Sequence, residues 1–251
     1  MAAARAAGRH RFDLVGFSLG AGVATFIAAE YAEMDSSFLV SGFSYGGDPR
    51  MNLQFDLWLH LARTDKIALG KLLLVSGLSR DFLSAFDEST IDGIIQSFVA
   101  MSDWPLIEQN IRVGLAVDVR EQAKKIKAPT LSITGKYDQI VPPFYTQELA
   151  DLIHTAKRAE IPSGHLSFLE KPVDLASAML TFLLEKRSQA LRSGAVTSSG
   201  PVALPVRSSL EWYLSMISPA PIPAHRSEAS RLQGMGSNLA LPAHGNLPTR
   251  N

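Results

Sequence analysis

Residues 12–44, FDLVGFSLGAGVATFIAAEYAEMDSSFLVSGFS, constrain the fold more than any other part of this chain. An apolar run of strand length, FDLVGF, passes through a serine flanked by glycines into LGAGVATFIAAEYAE at 19–33, which is small, apolar and free of proline, as a helix packed on a sheet must be. A second apolar run, SFLVSGFS at 37–44, follows almost at once. Strand, helix and strand with tight connections form a parallel βαβ unit, which is right-handed in nearly all cases. The stretch therefore specifies an α/β fold. It also contains Gly-x-Ser-x-Gly twice, as GFSLG at 16–20 and GFSYG at 42–46.

The periodicity changes after residue 46. From about 47 to 127 it reads as amphipathic helices at 51–63, 67–77, 80–87, 90–101 and 105–116, with no convincing strand. This span is expected to form an all-helical cap inserted into the α/β core. The alternation resumes with LSITG as a strand, PFYTQELADLIHTA as a helix, KRAEIPSG as a strand and a helix over 172–187 opened by Pro172. The expected organisation is thus a core made of 1–46 and 128–187, with about four parallel strands, and a helical cap at 47–127. Beyond 188 lie half of the fourteen prolines, with five arginines against Glu211 and Glu228. Such a segment buries too little apolar surface to offset its ordering entropy, so 188–251 reads as a low-complexity, disordered tail. Within it SLEWYLSMI at 209–217 is the one stretch suited to a short helix or a binding segment.

Bulk properties exclude several function classes. Twenty-four basic residues balance twenty-four acidic ones, so no whole-chain field draws the protein to nucleic acid or an anionic membrane. The absence of cysteine removes disulfides, thiolate metal sites and cysteine nucleophiles, and agrees with a reduced, cytoplasmic setting. The start, MAAARAAGRHRF followed by LVGFSLGAGVATFIAA, has the outline of a signal peptide. Asp13 at the mouth of the apolar run favours an internal strand and helix instead. No other stretch approaches the ~20 uninterrupted apolar residues that span a bilayer.

The two serines are not equivalent in their contexts. A nucleophile elbow needs a strand before the serine and a helix directly after it, so that the turn lifts the hydroxyl above the sheet beside the helix N-terminus. GFSLG has both, with Gly16 and Gly20 flanking the turn where side chains would collide. GFSYG has the strand, but Gly46-Gly47-Asp48-Pro49 follows as a turn, and proline turns its predecessor away from helical geometry. Ser44 accordingly reads as the end of the second strand, where the chain leaves for the insertion. A serine hydroxyl also needs a histidine to take its proton and a carboxylate to hold that histidine. Asp138 follows the strand LSITG, and His165 follows the strand KRAEI; both fall at the carboxyl ends of strands, where ligands bind in open α/β sheets. Their chain order after Ser18, acid then histidine, is that described for the α/β-hydrolase elbow. Asp48 is a weaker alternative acid. His60 and His154 read as helical, His10 precedes the first strand, and His225 and His244 lie in the tail.

Together, GFSLGAG, APTLSITGKYDQIVPP and IPSGHLSFLEKP resemble the nucleophile, acid and histidine segments of α/β-hydrolase-fold enzymes, especially lid-bearing esterases, enol-lactonases and carbon–carbon-bond hydrolases. The likeness covers about 5–187. It implies Ser18 as nucleophile, Asp138 as orienting acid, His165 as general base and the Leu19 amide as an oxyanion donor, with no metal or cofactor. It also implies about four strands and two helices ahead of the elbow, including a loop that carries the second oxyanion amide. Met1 to Gly8 instead looks like the end of the helix before the elbow strand. Two expectations follow: that the chain starts part-way into the fold, and that strand 12–17 is an exposed edge able to pair with another chain.

The expected activity is hydrolysis of a small-molecule ester, lactone or related carbonyl through an acyl-enzyme. Phe17, Phe43, Ser44, Trp58, Phe82 and Trp104 are candidates for the pocket. The alternatives are an acyltransferase of the same fold and a truncated, non-catalytic relative.

Overall fold

The computed structural model describes Ala6, Gly8 and residues 11–31 and 34–192; the tail beyond 192 and most of Met1 to Gly8 lie outside the described residues. Four strands, β1 (Phe12–Phe17), β2 (Met34–Val40), β3 (Thr130–Gly135) and β4 (Ala156–Ile161), pair in that order. All three pairings are parallel. The register sets Phe17 beside Val40, Val40 beside Ile133, and Gly135 beside Ile161. The carboxyl ends of all four strands therefore share one edge of the sheet. Among the described residues β1 pairs only with β2 and forms one side of the sheet.

Alternation along β2 divides the core between the two faces of the sheet. Leu39 points to one side, where it packs with Ala21, Ala24 and Ala28 of α1 (Leu19–Glu30), Val119, Ala123 and Ile126 around α7 (Arg120–Ala123), and Leu149 of α8 (Pro143–Asp151). Phe38 and Val40 point to the other, with Leu131, Ile133, Ile161 and Phe182 of α10 (Pro172–Arg192). Alanines on α1 bring that helix close to the sheet. This is why residues 19–30 combine helical length with so few large side chains.

Between β2 and β3 the chain forms α2 (Pro49–Thr64), α3 (Lys66–Gly77), α4 (Arg80–Leu83), α5 (Glu88–Met101) and α6 (Trp104–Ala116). Each has a readable start: the side chains of Asp48, Asp65, Ser79, Asp87 and Asp103 accept main-chain N–H groups of the first turn. Such caps contribute about 1 kcal/mol apiece. A third cluster, with Phe43, Met51, Phe55, Leu59, Ile111, Ile140, Val141 and Tyr145, joins these helices to the loop before α8. Val119, Ala123 and Ile126 pack instead with the sheet-side cluster around α1, and Val117 touches both clusters. The short α9 (Ser167–Glu170) follows β4.

Several expected boundaries move. The second strand ends at Val40 rather than Ser44, because Ser41 takes φ 48° and turns the chain out of the ladder. The helix after β3 stops at Asp151, which leaves His154 outside it, and the last helix runs on to Arg192, past the expected 187. The apolar run of the signal-peptide-like start is β1 and α1, an internal strand and helix. No helix among the described residues is long and apolar enough to cross a membrane.

Candidate active site

Ser18 occupies the single residue between β1 and α1, with φ 52° and ψ −122°. A non-glycine residue held there costs on the order of 1–3 kcal/mol and persists only where its surroundings enforce it. Its amide donates to the Val40 carbonyl at 2.9 Å, which ties the turn to β2. Gly16 enforces the turn from the other side: a Cβ there would lie 2.4 Å from the Gly20 carbonyl oxygen and 2.5 Å from Ala24 Cβ. Gly20 itself has nothing within 4 Å of such a Cβ, so the expected collision exists at Gly16 alone. Leu19 opens α1, and amides of a first helical turn have no carbonyl four residues back to bond within the helix.

Asp138 lies three residues past β3 and is 3% exposed. Its Oδ1 accepts the Val141 amide at 2.8 Å, which fixes the carboxylate plane, while Oδ2 lies 2.7 Å from His165 Nδ1. On the far side of the ring, His165 Nε2 stands 2.9 Å from Ser18 Oγ. An ionised carboxylate only accepts, so Nδ1 carries the proton in the neutral ring and Nε2 is left to accept from the serine hydroxyl. Phe17 covers the imidazole at a centroid distance of 4.8 Å and Phe168 meets Phe17 edge-on at 5.0 Å. The three residues come from three different loops at one edge of the sheet, 120 and 27 residues apart along the chain, yet form one continuous hydrogen-bonded line.

Asp48, the alternative acid, is engaged elsewhere. It caps α2 by accepting the Arg50 and Met51 amides, and it accepts the Tyr145 hydroxyl. That phenol contact, with the two amides, holds its carboxyl below the ordinary carboxylate range. Burial, reinforced by Asp48, raises Tyr145 to about 12. Ser44 is buried, and its carbonyl accepts the Val119 amide, while the Gly46 amide donates to Val117. Tyr45 and Asp118 form an isolated antiparallel bridge between the same two passages. The second Gly-x-Ser-x-Gly thus lies where the chain enters the helical segment, pinned against the passage that leaves it.

The proposed pocket residues separate into two groups. Phe43 is buried in the cluster that joins the helices to the Asp138 loop, and Trp58 packs edge-on against Phe55 of that cluster at 5.4 Å. Phe82 pairs with Phe86, and Trp104 with Phe98, its indole N–H donating to Val99. The Phe98–Trp104 pair joins α5 to α6, whereas Phe82 packs on the turn that follows α4. Among the described residues no group of three or more His, Asp or Glu is placed to hold a metal ion.

Sequence reading missed the tie between the helical segment and the loops that carry Asp138 and His165. The Gly77 carbonyl, at the end of α3, accepts the His165 amide at 2.8 Å, and Ser76 accepts the Gln139 amide at 3.2 Å. Arg50 and Gln54 of α2 donate to the Gln139 and Ile140 carbonyls. Main-chain carbonyls leave no trace in composition or spacing, so these long-range bonds had no sequence signal.

The fold and the loop arrangement define a hydrolase-type α/β protein. The chain belongs to the α/β hydrolase fold family, whose profile matches residues 2–172, and is an enzyme of the hydrolase class. It is 38% identical to a pyrrolizixenacetamide deacetylase of Xenorhabdus hominickii over 187 residues, 74% of this chain and 70% of that protein. It is 27% identical to a 2-hydroxy-6-oxo-6-(2'-aminophenyl)hexa-2,4-dienoic acid hydrolase of Metapseudomonas resinovorans, spanning 74% of this chain and 63% of that one. Among solved structures, the enol-lactonase of Burkholderia xenovorans LB400 superposes with a TM-score of 0.63 at 24% identity, covering 72% of this chain and 69% of the enol-lactonase, a likeness of fold.

Proposed function

We propose that the protein is a serine hydrolase that cleaves an ester, lactone or related carbonyl substrate through an acyl-enzyme on Ser18. The observation that carries this reading is the unbroken path from Ser18 Oγ through His165 to Asp138, at 2.9 Å and 2.7 Å. His165 Nε2 takes the hydroxyl proton as Oγ attacks the carbonyl carbon. Asp138 holds the Nδ1 proton and stabilises the imidazolium that forms. The oxyanion develops at the N-terminus of α1, where the Leu19 amide is its donor and the helix dipole favours negative charge. His165 then protonates the leaving group, and water repeats the sequence to release the acid. The strained turn of Ser18 supports the same assignment, because backbone strain of this kind concentrates at functional sites. Phe17 and Phe43 are the aromatic residues best placed near this edge of the sheet; Phe82 and Trp104, engaged with Phe86 and Phe98 in the helical segment, fit a pocket role less well. The helices of 49–116 act as the cap.

The relative named as a deacetylase supports acyl transfer to water, with an acetyl ester or amide as the first substrates to try. Labelling with a fluorophosphonate tests the assignment. The folded protein should form a covalent adduct on Ser18, and Ser18→Ala should form none. Equal labelling of the two proteins would remove Ser18 from the mechanism.

A further inference from the structure

Glu170 is a buried carboxylate that the mechanism above does not use. It closes α9, five residues after His165, and is 8% exposed. Its Oε1 accepts two main-chain amides, Gly164 and Ser79, each at 3.0 Å. Gly164 immediately precedes His165, whereas Ser79 begins α4, in the helical segment, 91 residues away. On the other side of the same junction the Gly77 carbonyl accepts the His165 amide at 2.8 Å and the Leu166 amide at 3.3 Å. The junction is tightly packed: a Cβ on Gly164 would lie 2.6 Å from the Gly77 oxygen, 2.8 Å from Glu170 Oε1 and 2.8 Å from the Leu78 carbonyl carbon. Carbonyl and carboxylate together clamp the backbone of residues 164–166 against residues 77–79.

Burying a carboxyl group is expensive unless it is bonded, and the bonds of Glu170 Oε1 run to the main chain on both sides of this junction. Glu170 Oε2 has no hydrogen-bond partner among the protein atoms. Its other oxygen ties the histidine loop to the start of α4. We infer that Glu170 is a positioning residue: it locks the helical segment to the His165 loop and so sets the imidazole at its working distance from Ser18. This rests on the triad reading of the site. Its consequence is that residues 77–79, far from Ser18 in sequence, form part of the histidine's support.

The test uses the full chain, with a fluorophosphonate probe and p-nitrophenyl acetate as reporter. Glu170→Gln keeps an oxygen that accepts both amides, so it should label and turn over within about threefold of wild type. Glu170→Ala removes the acceptor, and Glu170→Asp withdraws it by one methylene. Each should lower kcat and the maximal labelling rate by about tenfold to a hundredfold, the scale set by ångström-level misplacement of a catalytic group, with KM little changed. Thermal melting establishes that each variant is folded at the assay temperature; if Glu170→Ala is not, Glu170→Asp and Glu170→Gln decide. Wild-type rates in folded Glu170→Asp, or a Glu170→Gln as slow as it, would overturn the clamp, the second by showing that charge rather than hydrogen-bond geometry matters. A wild type that takes no label would instead overturn the triad reading, and the clamp with it.

Discussion

The segments GFSLG and GFSYG share a sequence pattern but differ in backbone geometry and in partners. In the first, the serine itself has positive φ, a helix starts at the next residue, and the hydroxyl meets a histidine at 2.9 Å. In the second, the positive φ falls on Ser41, one residue before the pattern begins, and Ser44 is fixed by its own carbonyl. The glycines differ as well. Gly16 has no room for a Cβ and Gly20 stands in open space, whereas Gly42 would meet Ala21 Cβ at 2.6 Å and Gly46 the Gly114 oxygen at 1.9 Å if either carried a Cβ. The first pattern uses its glycine to build a turn; the second uses both to let chains pass closely. A short motif therefore reports permitted backbone approach, and only its flanking elements decide whether chemistry can follow.

The sharpest way to break this contrast is to exchange the serines for alanine one at a time. Ser18→Ala should abolish fluorophosphonate labelling and lower hydrolysis by about four to six orders of magnitude, the range seen when a triad nucleophile is removed. Ser44→Ala should label at close to the wild-type rate. Loss of labelling in a folded Ser44→Ala would mean that the second segment reaches the chemistry after all. The two aspartates offer the next contrast. Asp138→Asn should cost roughly three to four orders of magnitude in kcat, since an amide no longer dictates the tautomer of His165. Asp48→Asn, which leaves an N-cap side chain in place, should leave kcat within a few fold.

The glycines give a smaller effect, measured by urea denaturation. Gly16→Ala forces a methyl into backbone oxygen and Ala24, atoms with no flexible end to move, and should destabilise by about 3 kcal/mol or more. Gly20→Ala meets nothing and lies in a helix, so it should be neutral or stabilise by up to about 1 kcal/mol. Equal losses in both variants would mean that Gly16 has no special place in the turn.

The difference between the glycines also marks how far the sequence was legible. Apolar runs bounded by glycine and proline placed β1, β3 and β4 and the helical segment to within a few residues, because burial and capping act locally. The side chains of Ser18, Asp138 and His165 could be brought to one edge on paper, since parallel strands carry their carboxyl ends to the same side. Their hydrogen-bonded distances were beyond reach, and so were the exit of β2 at Val40 and the role of Glu170. β2 ends where Ser41, its amide still donating to Ile133 of β3, takes a positive φ, and Glu170 is held by amides, one of them 91 residues distant. Such positions are set by partners that no local window contains.

Tyr145→Phe gives the smallest of these effects and probes the end of the second segment. The phenol donates to Asp48, the cap that starts α2 directly after Gly46 and Gly47. Asp48 is depressed chiefly by that bond, so its folded pKa lies below its unfolded one; the stability it contributes is present above the unfolded carboxylate pKa and fades as pH falls through the folded value. Tyr145 is raised to about 12, chiefly by burial, so the neutral phenol contributes fully below its unfolded pKa near 10 and less as pH climbs towards 12. Removing the hydroxyl should cost about 1 kcal/mol at pH 7, with the small value reflecting a solvent-screened carboxylate. Against wild type, the deficit should shrink at both ends of the pH range, below about pH 4 and above about pH 10. Fluorophosphonate labelling should stay at the wild-type rate throughout. A deficit that is flat from pH 3 to pH 11 would show that the Asp48 bond does not stabilise this neck. A fall in labelling without loss of fold would show that the neck, and with it the second Gly-x-Ser-x-Gly, is coupled to Ser18.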